Sequence, residues 1–131
     1  MLKLKKISDE QEIDSSVLRE RFVDGSRGRT HDFIVLSGDC EAGILIYENW
    51  GEYGGFIYEI FVLKDYRQRG VANWILSQAE NIAAELGHSA ITLDARTLDR
   101  DELSHNDLAA WYSRRGYVWL NSETGRLEKT L

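Results

Sequence analysis

The residues best placed to do chemistry lie in one short stretch, Tyr66-Arg67-Gln68-Arg69-Gly70-Val71-Ala72. An apolar, β-like run from Phe56 to Leu63 precedes it, and a helix-like run from Asn73 to Leu86 follows. A strand that turns through a basic, glycine-containing loop into a helix makes an anion cradle. The first N–H groups of the helix have no intrahelical acceptor, and the helix dipole favours negative charge at that end. Gly70 and Ala72 leave the backbone bare enough for a phosphate to approach. Arg67 and Arg69 add charge and fork-shaped donors. The pattern Arg-x-x-Gly-x-Ala therefore points to a phosphorylated cofactor. Glu59 stands out next, because it is an acid inside an otherwise apolar strand, where an unpaired charge is costly.

The surrounding elements must hold these groups in place. Leu2 to Ile7 alternates apolar and basic residues, as a half-buried strand does. Ser8 or Asp9 then caps a helix whose apolar positions include Ile13, Val17, Leu18 and Phe22, and Gly25 ends it. After a polar loop from Arg27 to Thr30 come strand Asp32 to Ser37, turn Gly38-Asp39 and strand Glu41 to Tyr47, a hairpin. A glycine-rich turn, Glu48 to Gly55, carries Trp50 and Tyr53 and leads into Phe56 to Leu63, the third and most buried strand of this meander. The helix from Gly70 to Leu86 places Ile75, Ala79, Ile82 and Leu86 on one face and closes at Gly87. Strand Ala90 to Leu93, a charged loop Arg96 to Ser104 and a short helix Asn106 to Arg115 follow. Tyr117 to Leu120 and Leu127 to Leu131 flank a turn from Asn121 to Gly125. The meander is antiparallel, and a helical crossover favours a parallel pair with Ala90 to Leu93.

At 131 residues the chain should form one domain, and its apolar fraction of 43% with four tryptophans can build a core. The formal charge of −6 argues against a nucleic-acid or polyanionic partner and favours a cationic substrate such as an amine. Cys40 is the only cysteine, which excludes an intrachain disulfide and suits a reduced, cytoplasmic setting. His31, His88 and His105 lack metal-ligand spacing, so no metal is expected. No apolar stretch is long enough to span a membrane, and the charged start lacks the apolar region of a signal peptide. A rival reading takes Ser77 to Ser89 as the first helix and turn of a helix-turn-helix DNA reader. The strand-like, acid-bearing Ala90-Ile-Thr-Leu-Asp-Ala where a basic recognition helix would be needed speaks against it.

Two motifs carry a resemblance to a known family. The first is Tyr58-Glu59-Ile60-Phe61-Val62 followed by Asp65 to Ala72, similar to an acyl-CoA turn of the form Gln/Arg-x-x-Gly-x-Gly/Ala. The second is Ala109 to Tyr117, similar to a Tyr-x-x-x-Gly-Phe/Tyr signature through Tyr112, Gly116 and Tyr117. At this separation the pair resembles the GNAT superfamily of acyl-CoA-dependent N-acetyltransferases, and the order of elements agrees over nearly the whole chain. The resemblance implies an α/β fold of the α+β type, with a central mixed, mostly antiparallel sheet of six to seven strands and helices on both faces. Acetyl-CoA would be the cosubstrate. The amides of Gln68, Arg69, Gly70, Val71, Ala72 and Asn73 would wrap its pyrophosphate, with Arg67 and Arg69 neutralising charge. The main chain of Phe61, Val62 and Leu63 would pair with the pantetheine arm, a backbone N–H near Val62 facing the oxyanion. Tyr112 would protonate the leaving sulfur, and Glu59 would bind or deprotonate the amine, as an acid at that offset does in related polyamine acetyltransferases. His105 or Asn106 stands where relatives have an asparagine that contacts pantetheine.

The chain departs from the family in having Lys64 or Asp65 where a proline is common, and one clear N-terminal helix where many relatives have two. A more open acceptor side would follow. Trp50 and Tyr53 are candidates to line it, and Asp94, Asp99, Asp101 and Glu102 to draw in a cation, while nothing marks Cys40 as a nucleophile. The implied activity is transfer of an acetyl group to a primary amine of a small molecule or peptide by direct attack in a ternary complex, with a homodimer as the candidate assembly. The alternative is a catalytically silent acyl-CoA sensor of the same fold.

Overall fold

The computed structural model describes residues 1–95, 105–121 and 125–131, without the side chains of Tyr53, His105, Asn106 and Asn121. The charged loop from Arg96 to Ser104 therefore lies outside the described residues, as do positions 122–124 of the last turn. Strands β1 (Leu2–Ile7), β2 (Thr30–Ser37), β3 (Cys40–Asn49) and β4 (Gly55–Val62) form an antiparallel meander. β5 (Ala90–Asp94) runs parallel to β4, and β7 (Arg126–Thr130) and β6 (Val118–Asn121) complete a seven-stranded sheet in the order β1-β2-β3-β4-β5-β7-β6.

The N-terminal segment differs from the single helix that its pattern suggests. Asp9 and Glu12 close a capping box on a short 3-10 turn, Glu10–Glu12, and the chain is extended again at Ile13. The carboxylate of Glu41, on β3, then accepts the N–H groups of Asp14 at 2.8 Å and Ser15 at 2.7 Å. Ser15 in turn caps α1 (Ser16–Gly25) through the Leu18 N–H at 3.3 Å. Because α1 restarts there, its buried face is set by Leu18 and Phe22, four residues apart, and Val17 points outward at 46% exposure.

Two apolar clusters flank the sheet. Ile44 and Ile46 of β3 pack with Ile13, Leu18 and Phe22 beside α1. Their neighbours Leu45 and Tyr47 point the other way, into a cluster with α2 (Val71–Glu85) and with Ala109 and Tyr112 of α3 (His105–Ser113). Helices thus cover both faces, as the alternation of side chains along β3 requires. α2 buries Val71, Ile75, Leu76, Ala79 and Ala83, whereas Leu86, expected on that face, is 41% exposed beyond the last helical turn. Strand β5 follows α2 directly after Gly87, His88 and Ser89, so no recognition helix succeeds the segment that imitates a helix-turn-helix.

β3, not β4, is the most enclosed strand, since every residue from Ala42 to Tyr47 is buried. β4 is only half-buried from Ile60 to Val62 because its neighbour leaves it. Pairing with β5 ends at Ile57 opposite Leu93. One residue later the register against β3 slips, Ile46 facing Glu59 and Tyr47 facing Ile57, which leaves Tyr58 as a bulge. Beyond that bulge the two strands part. Among the described residues no helix is long and apolar enough to cross a membrane, and no three His, Cys, Asp or Glu side chains cluster as a metal site would need.

Candidate active site

The parting of β4 and β5 opens a cleft of about 540 Å³. Antiparallel partners share a face, so Glu59 opposite Ile46 and Phe61 opposite Ile44 belong to the α1 side of the sheet. Arg21 of α1 lines the cleft on that side. Val71, Ala72 and Asn73 of α2, and Trp111 and Tyr112 of α3, line it from the other. The cleft therefore passes through the sheet and can receive two molecules from opposite faces.

On the α2 side the turn has the form that an anion needs. Gln68 and Gly70 both take left-handed backbone angles, φ 62° and 77°, and no side chain caps the helix. The first helical bond runs from the Trp74 N–H to the Gly70 carbonyl at 3.0 Å, so the amides of Val71, Ala72 and Asn73 precede the intrahelical ladder. A Cβ added at Gly70 would meet no atom within 4 Å, which leaves the approach to those amides open. This open, donor-rich turn fits a diphosphate. Arg67 is half-buried and folds back, its Nε donating to the Val62 carbonyl at 3.0 Å, while Arg69 is exposed and outside the cleft lining. Arg115 was not singled out by its position in the sequence. It stacks on Trp111 at 3.8 Å and its Nε donates to Asn73 Oδ1 at 2.8 Å, tying α3 to the start of α2.

The β4 main chain offers fewer groups than its three candidate residues suggest. The Leu63 N–H already donates to the Ala42 carbonyl at 2.8 Å. By the antiparallel alternation Phe61 also turns its N–H toward β3, and Val62 turns its own away, into the gap. The Arg67 contact on the Val62 carbonyl has the same sense.

Tyr112 is 7% exposed and borders the cleft, with Trp111 and Tyr117 edge-on at 5.0 Å and 5.6 Å. Burial pushes its hydroxyl pKa well up from a value already above neutral, so the phenol is a proton donor and not a base at neutral pH. Glu59 is nearly buried and accepts a hydrogen bond from Arg21 Nη1, and the Arg21 guanidinium carbon lies over the Phe61 ring, 3.6 Å from its centroid. A separation of 38 positions between Arg21 and Glu59 hides this pair from any local pattern. The backbones of His105 and Asn106 form the first turn of α3, and their side chains lie outside the described residues.

Other candidates are placed elsewhere. Trp50 stacks on Phe56 at 4.8 Å and donates to Glu48 at 2.9 Å, away from the cleft. The Tyr53 side chain lies outside the described residues, as do Asp99, Asp101 and Glu102. Asp94 borders the cleft but is held by Arg126 through two bonds of 2.8 Å and 3.1 Å. Cys40 is exposed and is not part of the cleft lining.

Residues 29–119 match the family described as the acetyltransferase (GNAT) domain. No curated protein matches by sequence. Among solved structures, an IAA acetyltransferase from Bacillus cereus ATCC 14579 superposes with a TM-score of 0.73 at 17% identity, covering 100% of both chains. A GNAT family acetyltransferase from Elizabethkingia anophelis, solved with acetyl-CoA bound, gives 0.68 at 11% identity over 99% of this chain and 98% of that one. The KacTA-DNA complex gives 0.71 at 13% identity over 99% and 93%. At these identities the likeness is one of fold. The match of the family itself spans most of the chain, and its cosubstrate is acetyl-CoA. On that match and this fold, the chain belongs to the GNAT acetyltransferases.

Proposed function

We propose that the chain is a single-domain N-acetyltransferase that moves the acetyl group of acetyl-CoA to a primary amine of a small molecule or peptide, by direct attack in a ternary complex. The observation that carries this reading is the cleft through the parted sheet, with unpaired helix-start amides on one face and a buried carboxylate on the other. The amides from Gln68 to Asn73, helped by Arg67, hold the diphosphate on the α2 side. Arg69 screens it from the rim. The Phe61–Leu63 segment positions the pantetheine arm, with the Val62 main chain as its hydrogen-bonding edge, and His105 or Asn106 contacts it.

Acyl transfer then needs alignment, a donor for the developing oxyanion and a proton for sulfur. Glu59 binds or deprotonates the acceptor ammonium on the α1 side. The neutral amine forms the N–C bond at the thioester carbonyl, and the Val62 N–H stabilises the negative charge that grows on oxygen. As the C–S bond breaks, Tyr112 gives its proton to the departing sulfur and recovers one from the amide nitrogen through solvent. The products are the amide and free CoA thiol.

An amine panel with acetyl-CoA, followed by thiol release and product mass, tests this. Thiol release with a matching acetylated product supports it, and saturable CoA binding with no transfer to any amine would make the chain a silent acyl-CoA sensor instead. The exposed Cys40 thiol suits a reducing, cytoplasmic setting. A homodimer has a specific surface in its favour: Val118, Trp119 and Leu120 are 63%, 48% and 55% exposed on the edge strand β6, which carries none of the lysines that guard the opposite edge at Lys3, Lys5 and Lys6.

A further inference from the structure

The acceptor side of the cleft holds a pair of opposite charges, and that pair limits what can bind there. Arg21 and Glu59 are hydrogen-bonded, with side chains 19% and 8% exposed. Around the whole cleft the described charged groups are three arginines, Arg21, Arg67 and Arg115, against Glu59 and Asp94, and Asp94 is already clamped by Arg126. A chain of net charge −6 thus presents no excess of negative charge among the described groups of its cleft. A simple alkylammonium reaching Glu59 would also face the Arg21 guanidinium, a like charge in a poorly solvated place.

A molecule that carries an anion beside its amine meets no such opposition. Its ammonium can take the place of Arg21 on Glu59, and its carboxylate can satisfy Arg21. The guanidinium is set for that exchange. The Phe61 ring, its centroid 3.6 Å from the guanidinium carbon, supports it from one side, and its fork has donors beyond the Nη1 group that serves Glu59. We infer that the acceptor is an amine bearing a carboxylate close by, of the α-amino-acid type, with Glu59 on the ammonium and Arg21 on the carboxylate. This rests on the proposed transferase reading and names the acceptor class for that same site. The bond changes are unaltered: the ammonium loses one proton before attack and one after, N–C forms, C–S breaks, and the carboxylate takes no part.

The test compares pairs that differ only by the carboxylate: phenylalanine with phenethylamine, histidine with histamine, lysine with cadaverine. In the unmodified protein kcat/KM for the better carboxylate-bearing member should exceed that of its partner by about tenfold or more, the scale of one charge-assisted hydrogen bond. Arg21→Ala should abolish that ratio chiefly through KM, and Arg21→Lys should keep part of it. The ratio is measured within one preparation, so partial unfolding of a variant cancels. Transfer that favours the decarboxylated amines, or a ratio unmoved in Arg21→Ala, overturns the acceptor class and leaves the transferase reading standing. No transfer to any of the six amines, with transfer to another member of the amine panel that has no carboxylate beside its amine, likewise overturns the acceptor class alone, whereas CoA binding with no transfer across the whole panel overturns both.

Discussion

Gly70 and Gly87 sit at opposite ends of α2 in almost the same backbone state, φ 77° and 76°, and a Cβ added at either would meet no atom within 4 Å. Alanine at each position should therefore cost the same, since only the left-handed backbone is penalised. That penalty is about 1–2 kcal/mol, or roughly 3–5 °C of Tm per kcal/mol for a domain of this size. The two positions differ in what lies before them. At Gly70 the new methyl group enters the open approach to the amides of Val71, Ala72 and Asn73. At Gly87 it lies beyond the helix C-terminus, where the His88 N–H already closes on the Ala83 carbonyl at 2.8 Å. Losing one charge-assisted hydrogen bond to the diphosphate costs about 1.5–3 kcal/mol. Gly70→Ala should therefore weaken CoA binding by about tenfold or more, and Gly87→Ala should leave it within about twofold of the parent. Calorimetry with CoA, beside thermal melts of both variants, reads the two effects separately. Equal CoA affinity in the two variants would refute the placement of the cradle, however the melts came out.

Other outcomes follow from the same contacts. Tyr112→Phe should keep CoA affinity and lower kcat by about 10²-fold or more, read by thiol release. Glu59→Gln removes the charge partner of a half-sequestered Arg21 and should cost about 2–3 kcal/mol in a denaturant titration, short of the loss for a fully buried pair. His88 accepts from the Tyr47 hydroxyl at Nδ1, 2.6 Å away, and donates from Nε2 to Asn49 Oδ1 at 3.0 Å. Burial, and then the charge of His31, hold its pKa below the ordinary 6.5, while burial raises Tyr47 to about 12. A depressed histidine gives stability that is full above its unfolded pKa and is lost as pH falls through 6.5 toward the lowered folded value. Melts from pH 8 to pH 5 should show that loss in the parent and not in His88→Gln; parallel curves would contradict it. Trp119→Lys should shift a dimer toward monomer in light scattering, if the exposed β6 edge is the contact.

Much of this architecture can be read along the chain because its cues are local. The alternation in Leu2–Ile7, the Gly38-Asp39 hairpin and the passage from apolar run to Arg-x-x-Gly-x-Ala to amphipathic run each sit within one window. What could not be read depends on residues far apart or on a backbone state without a residue signature. Glu41 breaks the first helix from 26 and 27 residues away, where the local pattern of Ile13 and Leu18 suits one continuous helix. Tyr58 looks like an ordinary strand residue and is the bulge that turns Glu59 into the cleft wall. Gln68 holds a positive φ that its residue type gives no reason to expect. The partners of the two catalytic candidates show the same divide. Tyr112 is flanked by aromatic residues visible beside it in sequence, while Arg21, the partner of Glu59, comes from another element.

Main-chain donors at the head of α2, together with the Val62 N–H, are proposed to receive the acyl-CoA. A ¹⁵N-resolved NMR titration with acetyl-CoA measures those groups one by one. Saturable shifts should be largest at Gly70, Val71, Ala72, Asn73 and Val62, with the Leu63 amide, already bonded to Ala42, moving less. Saturation with those five amides unmoved, or no saturable shift at millimolar ligand, would contradict it.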